Sequence, residues 1–310
     1  MDTPLYKLKI TIKVVKHRED KIMTVTAAMV KELREKTGAG ILDAKKALVE
    51  NNGDMEKAME FLRQKGIASA EKKMGRIAAE GLVGSFVENG VGAIIEVNCE
   101  TDFVAKNDEF KELVSNLAKQ VVATKPADVD TLLASTCTAC NKKIEDIIKE
   151  KVATIGEKIT VRRFEIVEGN PSTYIHNGKI GVLLNTDKAD EVLGKDICLH
   201  IASNAPEFVS REEIPQSVID EETRIEMGKE DLANKPEQIR AKIVEGRINK
   251  LMAAKCLLEQ PFVKNPDQTV AQLCEGKLAV KSFIRYVLGE GLEKRQDNFA
   301  EEVASQMAGN

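Results

Sequence analysis

The sequence predicts an α+β protein of several modules, and three observations carry that expectation. Hydrophobic spacing is helical through residues 26–65, becomes strand-like from Gly81, and then alternates between hairpin-like and helical stretches. Two tight-turn dipeptides, Asn89-Gly90 and Asn177-Gly178, sit between short apolar runs, the pattern of β-hairpins. The text also rhymes with itself: VRRFEIVEG at 161–169 against SFIRYVLGEG at 282–291. Each closes a hairpin-plus-helix stretch, which predicts two related α+β subdomains.

Taken in order, residues 1–22 stand apart. The run LYKLKITIKVVK at 5–16 alternates, but it is Lys-rich and has no core to join. It is too charged for a secretory signal and lacks the Arg- and Ser-rich composition of a transit peptide. Met23 is a candidate true start, with the leader an upstream readthrough or a vector remnant, non-native or disordered.

Three short helices are expected over 23–66. Thr26 suits an N-cap, and Met29, Val30 and Leu33 share one face behind it. Thr37-Gly38-Ala39-Gly40 ends this helix. The second carries Ile41, Ala44 and Leu48 and stops at Asn52-Gly53, a left-handed C-cap signal. Asp54 caps the third, which carries Ala58, Phe61 and Leu62 and is expected to end at Lys65-Gly66. So small a bundle lies near the lower size limit for independent folding and reads as a docking module. Residues 67–80 read as a linker, basic and polar over 71–76.

The first core subdomain is expected over 81–170: a hairpin of 82–87 and 91–97, helices near 108–123 and 141–155, and a closing strand at 159–167. Ile144, Ile147, Ile148 and Val152 form the stripe of the second helix. The second subdomain, 171–292, repeats the order with a hairpin of 173–175 and 179–184, a helix at 190–203 and a closing strand at 278–288. Inserted in it, at 216–254, is an antiparallel helical hairpin. Val218, Ile225 and Leu232 are spaced by seven, Asn234-Lys235-Pro236 breaks the pattern, and Ile239, Ile243 and Leu251 resume it. Such an arm either offers an interaction surface or packs on the core. Residues 293–310 end the chain in a helix capped by Asp297, whose stripe of Phe299, Val303 and Met307 needs a docking site on its own core or on a partner.

Composition narrows the function classes. Apolar residues make up 43% of the 310, enough for real cores, while no run reaches the roughly 20 apolar residues a membrane helix needs. Net charge is −4 and aromatics are 4% with no Trp, which argues against a nucleic-acid platform, since phosphate contacts call for a basic excess. The six cysteines, without a secretory signal, read as reduced thiols.

Signs of covalent chemistry are sparse. No phosphate-cradling loop is present, and Gly38-Ala39-Gly40 follows no strand, so it reads as a turn. Cys137-Thr138-Ala139-Cys140 has redox spacing but no second pair for zinc. Cys198 and His200, two apart on a helix, point to different faces. The other histidines, His17 and His176, fall in the leader and in a turn. No nucleophile–base–orienter set emerges, and neither an enzyme activity nor a cofactor is expected.

One segment stands out: EVNCETDFVAKNDEF at 96–110 leaves a buried strand and enters a helix. By sequence physics Thr101 or Asp102 caps that helix and Phe103 is core; the other reading makes the three a functional motif. TDFVAKN at 101–107 resembles the signature of the translation elongation factor Ts family. VKELREKTGAGILDAKKAL at 30–48 is similar to that family's N-terminal module of ubiquitin-associated type. VGSFVENGVGAIIEVNCETDF at 83–103, PEFVSREEIP at 206–215, VEGRINK at 244–250 and QPFV at 260–263 match in the same order. The resemblance runs from Met23 almost to Asn310.

The resemblance implies a guanine nucleotide exchange factor for elongation factor Tu in the cytoplasm of bacterial type. It implies contact with both GDP-bound and nucleotide-free partner, in a one-to-one or two-to-two complex, without direct nucleic-acid or membrane binding. Thr101, Asp102, Phe103 and Val104 match the motif that enters the partner's G domain near its Mg²⁺. Ile41 and Leu42 match a pair, often Met-Met in relatives, that packs on the partner, and His200 matches a contacting histidine. For His200 a satisfied helix histidine stands as the other reading. The competing function is a non-catalytic accessory binder, chaperone-like or RNA-associated.

Overall fold

The computed structural model describes residues 25–233 and 235–293, and the chain divides between Lys65 and Gly66 into two compact units. The leader, Asn234 of the expected break, and the helix expected from Asp297 lie outside the described residues. Among the described residues no helix is long and apolar enough to cross a membrane.

In the first unit, α1 (Ala27–Thr37) and α2 (Ile41–Glu50) precede α3 (Met55–Lys73), whose residues from Gly66 onward belong to the second unit. The Met29 N–H donates to the Thr26 hydroxyl at 3.2 Å, and Gly38 ends α1 in the left-handed region at φ 67°. Asn52 and Gly53, both at positive φ, turn the chain, and Asp54 accepts from the Lys57 N–H at 3.1 Å. Leu33, Ala44, Ala47, Leu48 and Ala58 form the core, flanked by Met29, Val30, Phe61 and Leu62. Three alanines among five core residues let the helices approach closely.

One boundary differs. α3 does not end at Gly66 but continues to Lys73, so part of the expected linker is helical. A single glycine costs a helix only about 1 kcal/mol relative to alanine, and neither a proline nor a capping signal follows it. Gly66 is itself buried, and a Cβ there would stand 2.7 Å from the Ala153 Cβ, so this is a close approach rather than a stop.

After the end of α3, the second unit continues with β1 (Glu80–Glu88) and β2 (Val91–Cys99). Asn89 and Gly90, at φ 50° and 75°, make the two-residue turn whose twist suits a hairpin. α4 (Asp102–Lys106), α5 (Asp108–Thr124), α6 (Val129–Ala134) and α7 (Ile144–Ile155) follow, and β3 (Thr160–Glu168) returns antiparallel to β2. Phe110, Leu113, Leu117 and Val121 of α5 pack with Ile95 and Val97 of β2 and with Ile148 and Val152 of α7. α6, which hydrophobic spacing did not predict, is capped by Asp128. α7 starts three residues later than expected because a small loop, closed by pairing of Thr136 with Lys143, occupies the intervening chain.

β4 (Asn170–His176) and β5 (Ile180–Thr186) form the second hairpin, followed by α8 (Glu191–Asn204). The helical arm is α9 (Gln216–Met227) and α10 (Glu237–Lys255). Short β6 (Pro261–Phe262), β7 (Asn265–Thr269) and α11 (Val270–Cys274) lead into β8 (Val280–Val287), antiparallel to β5. The sheet orders β1-β2-β3 and β4-β5-β8 match. So do their details: Phe164 pairs with Ile95 and Phe283 with Leu184, and the register shifts one step later at Glu96/Val97 and at Asn185/Thr186. Val83, Ile94 and Val167 of one sheet pack with Leu183 and Tyr286 of the other. The fold is α+β.

The arm departs from its expected stripe. Ile225 and Ile239 are exposed, and the buried positions of α10 are Val244, Ile248 and Met252, spaced by four. The helical path already ends at Gly228, and Leu232 is wholly buried in a short 3₁₀ turn between the helices. Ile214, Leu232 and Cys256 join the α10 stripe in a separate small core, with Val218 of α9 against it.

Candidate functional site

The sequence leaves β2 at Cys99 and must turn into α4 within two residues, so the backbone there needs hydrogen-bond partners other than a strand. Glu157, just beyond α7, supplies them. Its carboxylate accepts from the Glu100 N–H at 3.1 Å, the Thr101 N–H at 3.0 Å and the Thr101 hydroxyl at 2.6 Å. The same hydroxyl oxygen accepts from the Val104 N–H at 3.3 Å, making Thr101 the N-cap of α4. Glu100 reaches the other way, accepting from the Lys158 N–H at 2.7 Å and pairing with Arg76. The Cys99 thiol donates to the Thr101 carbonyl. Ala105 is buried and Val104 packs against the first core.

On this clamped turn Phe103 is 80% exposed. The reading of Phe103 as a core residue is therefore overturned: Val104 and Ala105 take the inward positions, and helical geometry sends the preceding side chain outward. The ring stands open to solvent, with the Lys106 ammonium 5.8 Å from its centroid. Asp102 sits beside it, 46% exposed, bonded to Lys106 Nζ at 2.6 Å. That hydrogen bond holds the Asp102 carboxyl below the usual carboxylate range against the opposing desolvation, with the charges of Lys106 and Lys179 adding smaller contributions. The result is an anion beside a protruding aryl group, on backbone that is tied down at several points.

Large exposed apolar side chains of this kind suit a partner surface better than solvent. Ile41 and Leu42, on the first turn of α2, are 58% and 82% exposed. Ile41 borders a groove of about 500 Å³ that Val25, Val30, Arg34 and Lys45 also line.

His200, expected as a partner contact, requires correction. It is wholly buried on α8; its ring Nε2 lies 2.8 Å from the Gln260 Oε1 and its Nδ1 accepts from the Val263 N–H at 3.1 Å. Gln260 in turn donates to the Ala254 carbonyl. Burial pushes the imidazole pKa down, the Gln260 bond opposing. With both nitrogens engaged and no exposed surface, this is the satisfied helix histidine. Cys198, two residues earlier, donates to the Ser172 carbonyl, and among the described residues no group of three or more His, Cys, Asp or Glu could hold a metal ion.

Glu157, Glu100, Lys106 and Lys179 are the site residues that sequence reasoning missed. Lys106 was within reach, four residues from Asp102 on one helix face. Glu157 was not, because no periodicity links it to Thr101 across the four helices between them.

Fold and site together define an α+β protein that presents one exposed aromatic residue and one carboxylate on a clamped turn. A family model described as Elongation factor TS matches residues 100–290, more than half the chain and inclusive of that turn. The chain belongs to the elongation factor Ts family, a family of translation factors.

Proposed function

We propose that this protein promotes GDP release from elongation factor Tu during protein synthesis, and that it does so by binding alone, without covalent chemistry. The observation that carries the reading is the exposed Phe103 beside Asp102, on a turn held by Glu157 within the matched family region. Phe103 enters the partner's G domain as a wedge that shifts packed elements. Asp102 places a negative charge near the network that holds Mg²⁺ and its waters. Mg²⁺ tolerates little departure from octahedral coordination, so disturbing that network uncovers phosphate repulsion and loosens GDP. Thr101 and Val104 hold the two acting residues in place.

In the same reading residues 23–66 form a ubiquitin-associated-like module whose Ile41 and Leu42 add a second apolar contact. The core subdomains span 81–170 and 171–292, with the arm at 216–254. The setting is the cytoplasm. Linkage sets the cycle: a factor that weakens nucleotide binding by some ratio is itself weakened by nucleotide by that ratio. The complex therefore forms best with nucleotide-free partner, and incoming GTP displaces the factor.

The test is release of a fluorescent GDP analogue from elongation factor Tu, with catalytic amounts of this protein and excess unlabelled GDP. Acceleration by the wild type, reduced in Phe103→Ala and Asp102→Ala, is expected. Absence of acceleration with a cognate partner and folded protein would overturn the reading.

A further inference from the structure

The cysteines divide sharply. Cys99, Cys198, Cys256 and Cys274 are buried, and burial pushes the thiols of Cys99 and Cys198 up to about 12. Such groups are inert, since the thiolate is the reactive form. Cys137 is half-buried and Cys140 exposed, and the two lie three residues apart on one loop. The neighbouring thiol pulls the Cys137 pKa down and pushes the Cys140 pKa up, which favours Cys137 as the attacking member of the pair.

The loop that carries the pair is built, not slack. Thr136 and Lys143 close it as a bridge, the Cys137 N–H donates to the Lys142 carbonyl at 2.7 Å, and the Asn141 N–H donates to the Cys137 carbonyl at 3.2 Å with Asn141 in the left-handed region. A buried side chain is committed to it as well. Gln120 of α5, only 3% exposed, donates to the Thr136 carbonyl at 2.9 Å and accepts from the Thr138 N–H at 3.0 Å. Cys137 also packs against the first core. The bond from Asn141 back to Cys137 closes one helix-like turn, which brings positions 137 and 140 to the same side of it, with Cys140 open to solvent.

From this geometry we infer that Cys137 and Cys140 form a reversible dithiol–disulfide site that reacts with small-molecule disulfides of the glutathione class. The Cys137 thiolate attacks one sulfur of the disulfide, forming a mixed disulfide and releasing one thiolate. Cys140 then loses its proton and attacks the Cys137 sulfur, closing the intramolecular disulfide and expelling the second thiolate. The small disulfide is reduced to two thiols, and the protein is oxidised by two electrons and loses two hydrogens. This site does not rest on the exchange reading and is distant in sequence from Thr101.

The test uses the full chain, reduced and then equilibrated with graded mixtures of reduced and oxidised glutathione, quenched with iodoacetamide and read by intact mass and peptide mapping. The expected result is a species lighter by two hydrogens, with two fewer alkylated thiols and a single crosslink between Cys137 and Cys140, reversed by reductant. Cys140→Ser should stop at a stable glutathione adduct on Cys137, with unchanged circular dichroism. A full count of alkylatable thiols under oxidising mixtures would overturn the assignment. So would crosslinks spread over the buried cysteines, or equal adduct yields at Cys137 and Cys140 in the two single serine variants.

Discussion

Phe103 and Phe110 lie in one short stretch of sequence, yet one ring is 80% exposed and the other wholly buried. The contrast separates stability from function. Phe110→Ala empties a packed site and should cost about 3–5 kcal/mol, whereas Phe103→Ala should change urea stability by less than about 0.5 kcal/mol. If Phe103 is an interface anchor, its truncation costs about 2 kcal/mol or more at the partner, so exchange at limiting factor concentration should fall about thirtyfold or more. Paired denaturation and GDP-release assays read both numbers; a Phe103→Ala protein that unfolds early would show that the ring is structural after all. Glu157 acts on the same turn from a distance. Glu157→Gln keeps the shape but removes the charge that strengthens three hydrogen bonds, so it should cost about 1–2 kcal/mol. It should also slow exchange while Phe103 is untouched, and Glu157→Asp should restore less than the full rate because the shorter arm cannot reach both N–H groups.

At the scale of elements, the arm tests how a repeat pattern is to be understood. Heptad spacing singled out Ile225 and Ile239, but the buried stripe of α10 is Val244, Ile248 and Met252. Ile248→Ala should therefore lower stability by about 2–4 kcal/mol, and Ile239→Ala by less than about 0.5 kcal/mol, in thermal or urea unfolding. Equal costs would mean that the heptad, not the observed stripe, describes the core. Sequence legibility follows the same physics. Elements whose signals are local were readable: the Asn89-Gly90 turn, the Thr26 cap and the short apolar run of β2 each depend on residues a few positions apart. Elements decided by distant contacts were not. Gly66 reads as a stop until Ala153 is seen against it, and Phe103 reads as core until Val104 and Ala105 fill the inward positions. His200 matched a contact motif, but its partners, Gln260 and Val263, lie on a strand connection that hydrophobic spacing did not mark.

Across the whole molecule, one buried carboxylate ties the ends of the second unit together. Glu96, on the central strand of the first sheet, is fully buried, and it accepts from Arg163 Nε at 2.7 Å, from Arg162 Nη1 at 3.0 Å and from the Gly289 N–H beyond β8 at 2.8 Å. Arg163 also lies over the Tyr286 ring of β8, 4.1 Å from its centroid. Burial alone would raise the Glu96 pKa, but the Gly289 N–H and the two guanidinium groups outweigh it, and the folded-state value is depressed. A carboxylate depressed on folding stabilises the protein above its unfolded pKa and loses that contribution as pH falls through the folded value. The loss therefore begins near the ordinary glutamate value of 4.5 and continues below it. Glu96→Gln should cost about 1–3 kcal/mol at neutral pH, where a charge-assisted network is replaced by a neutral one. The decisive quantity is the difference in urea stability between wild type and Glu96→Gln as pH falls. Other carboxylates titrate in both proteins and cancel in that difference, so the gap should narrow below about pH 4.5 as wild-type Glu96 takes up its proton. A gap that stays constant from neutral pH into the acid range would mean that the charge on Glu96 contributes nothing, and that the two sheets are held by Val83, Ile94, Leu183 and their apolar neighbours alone.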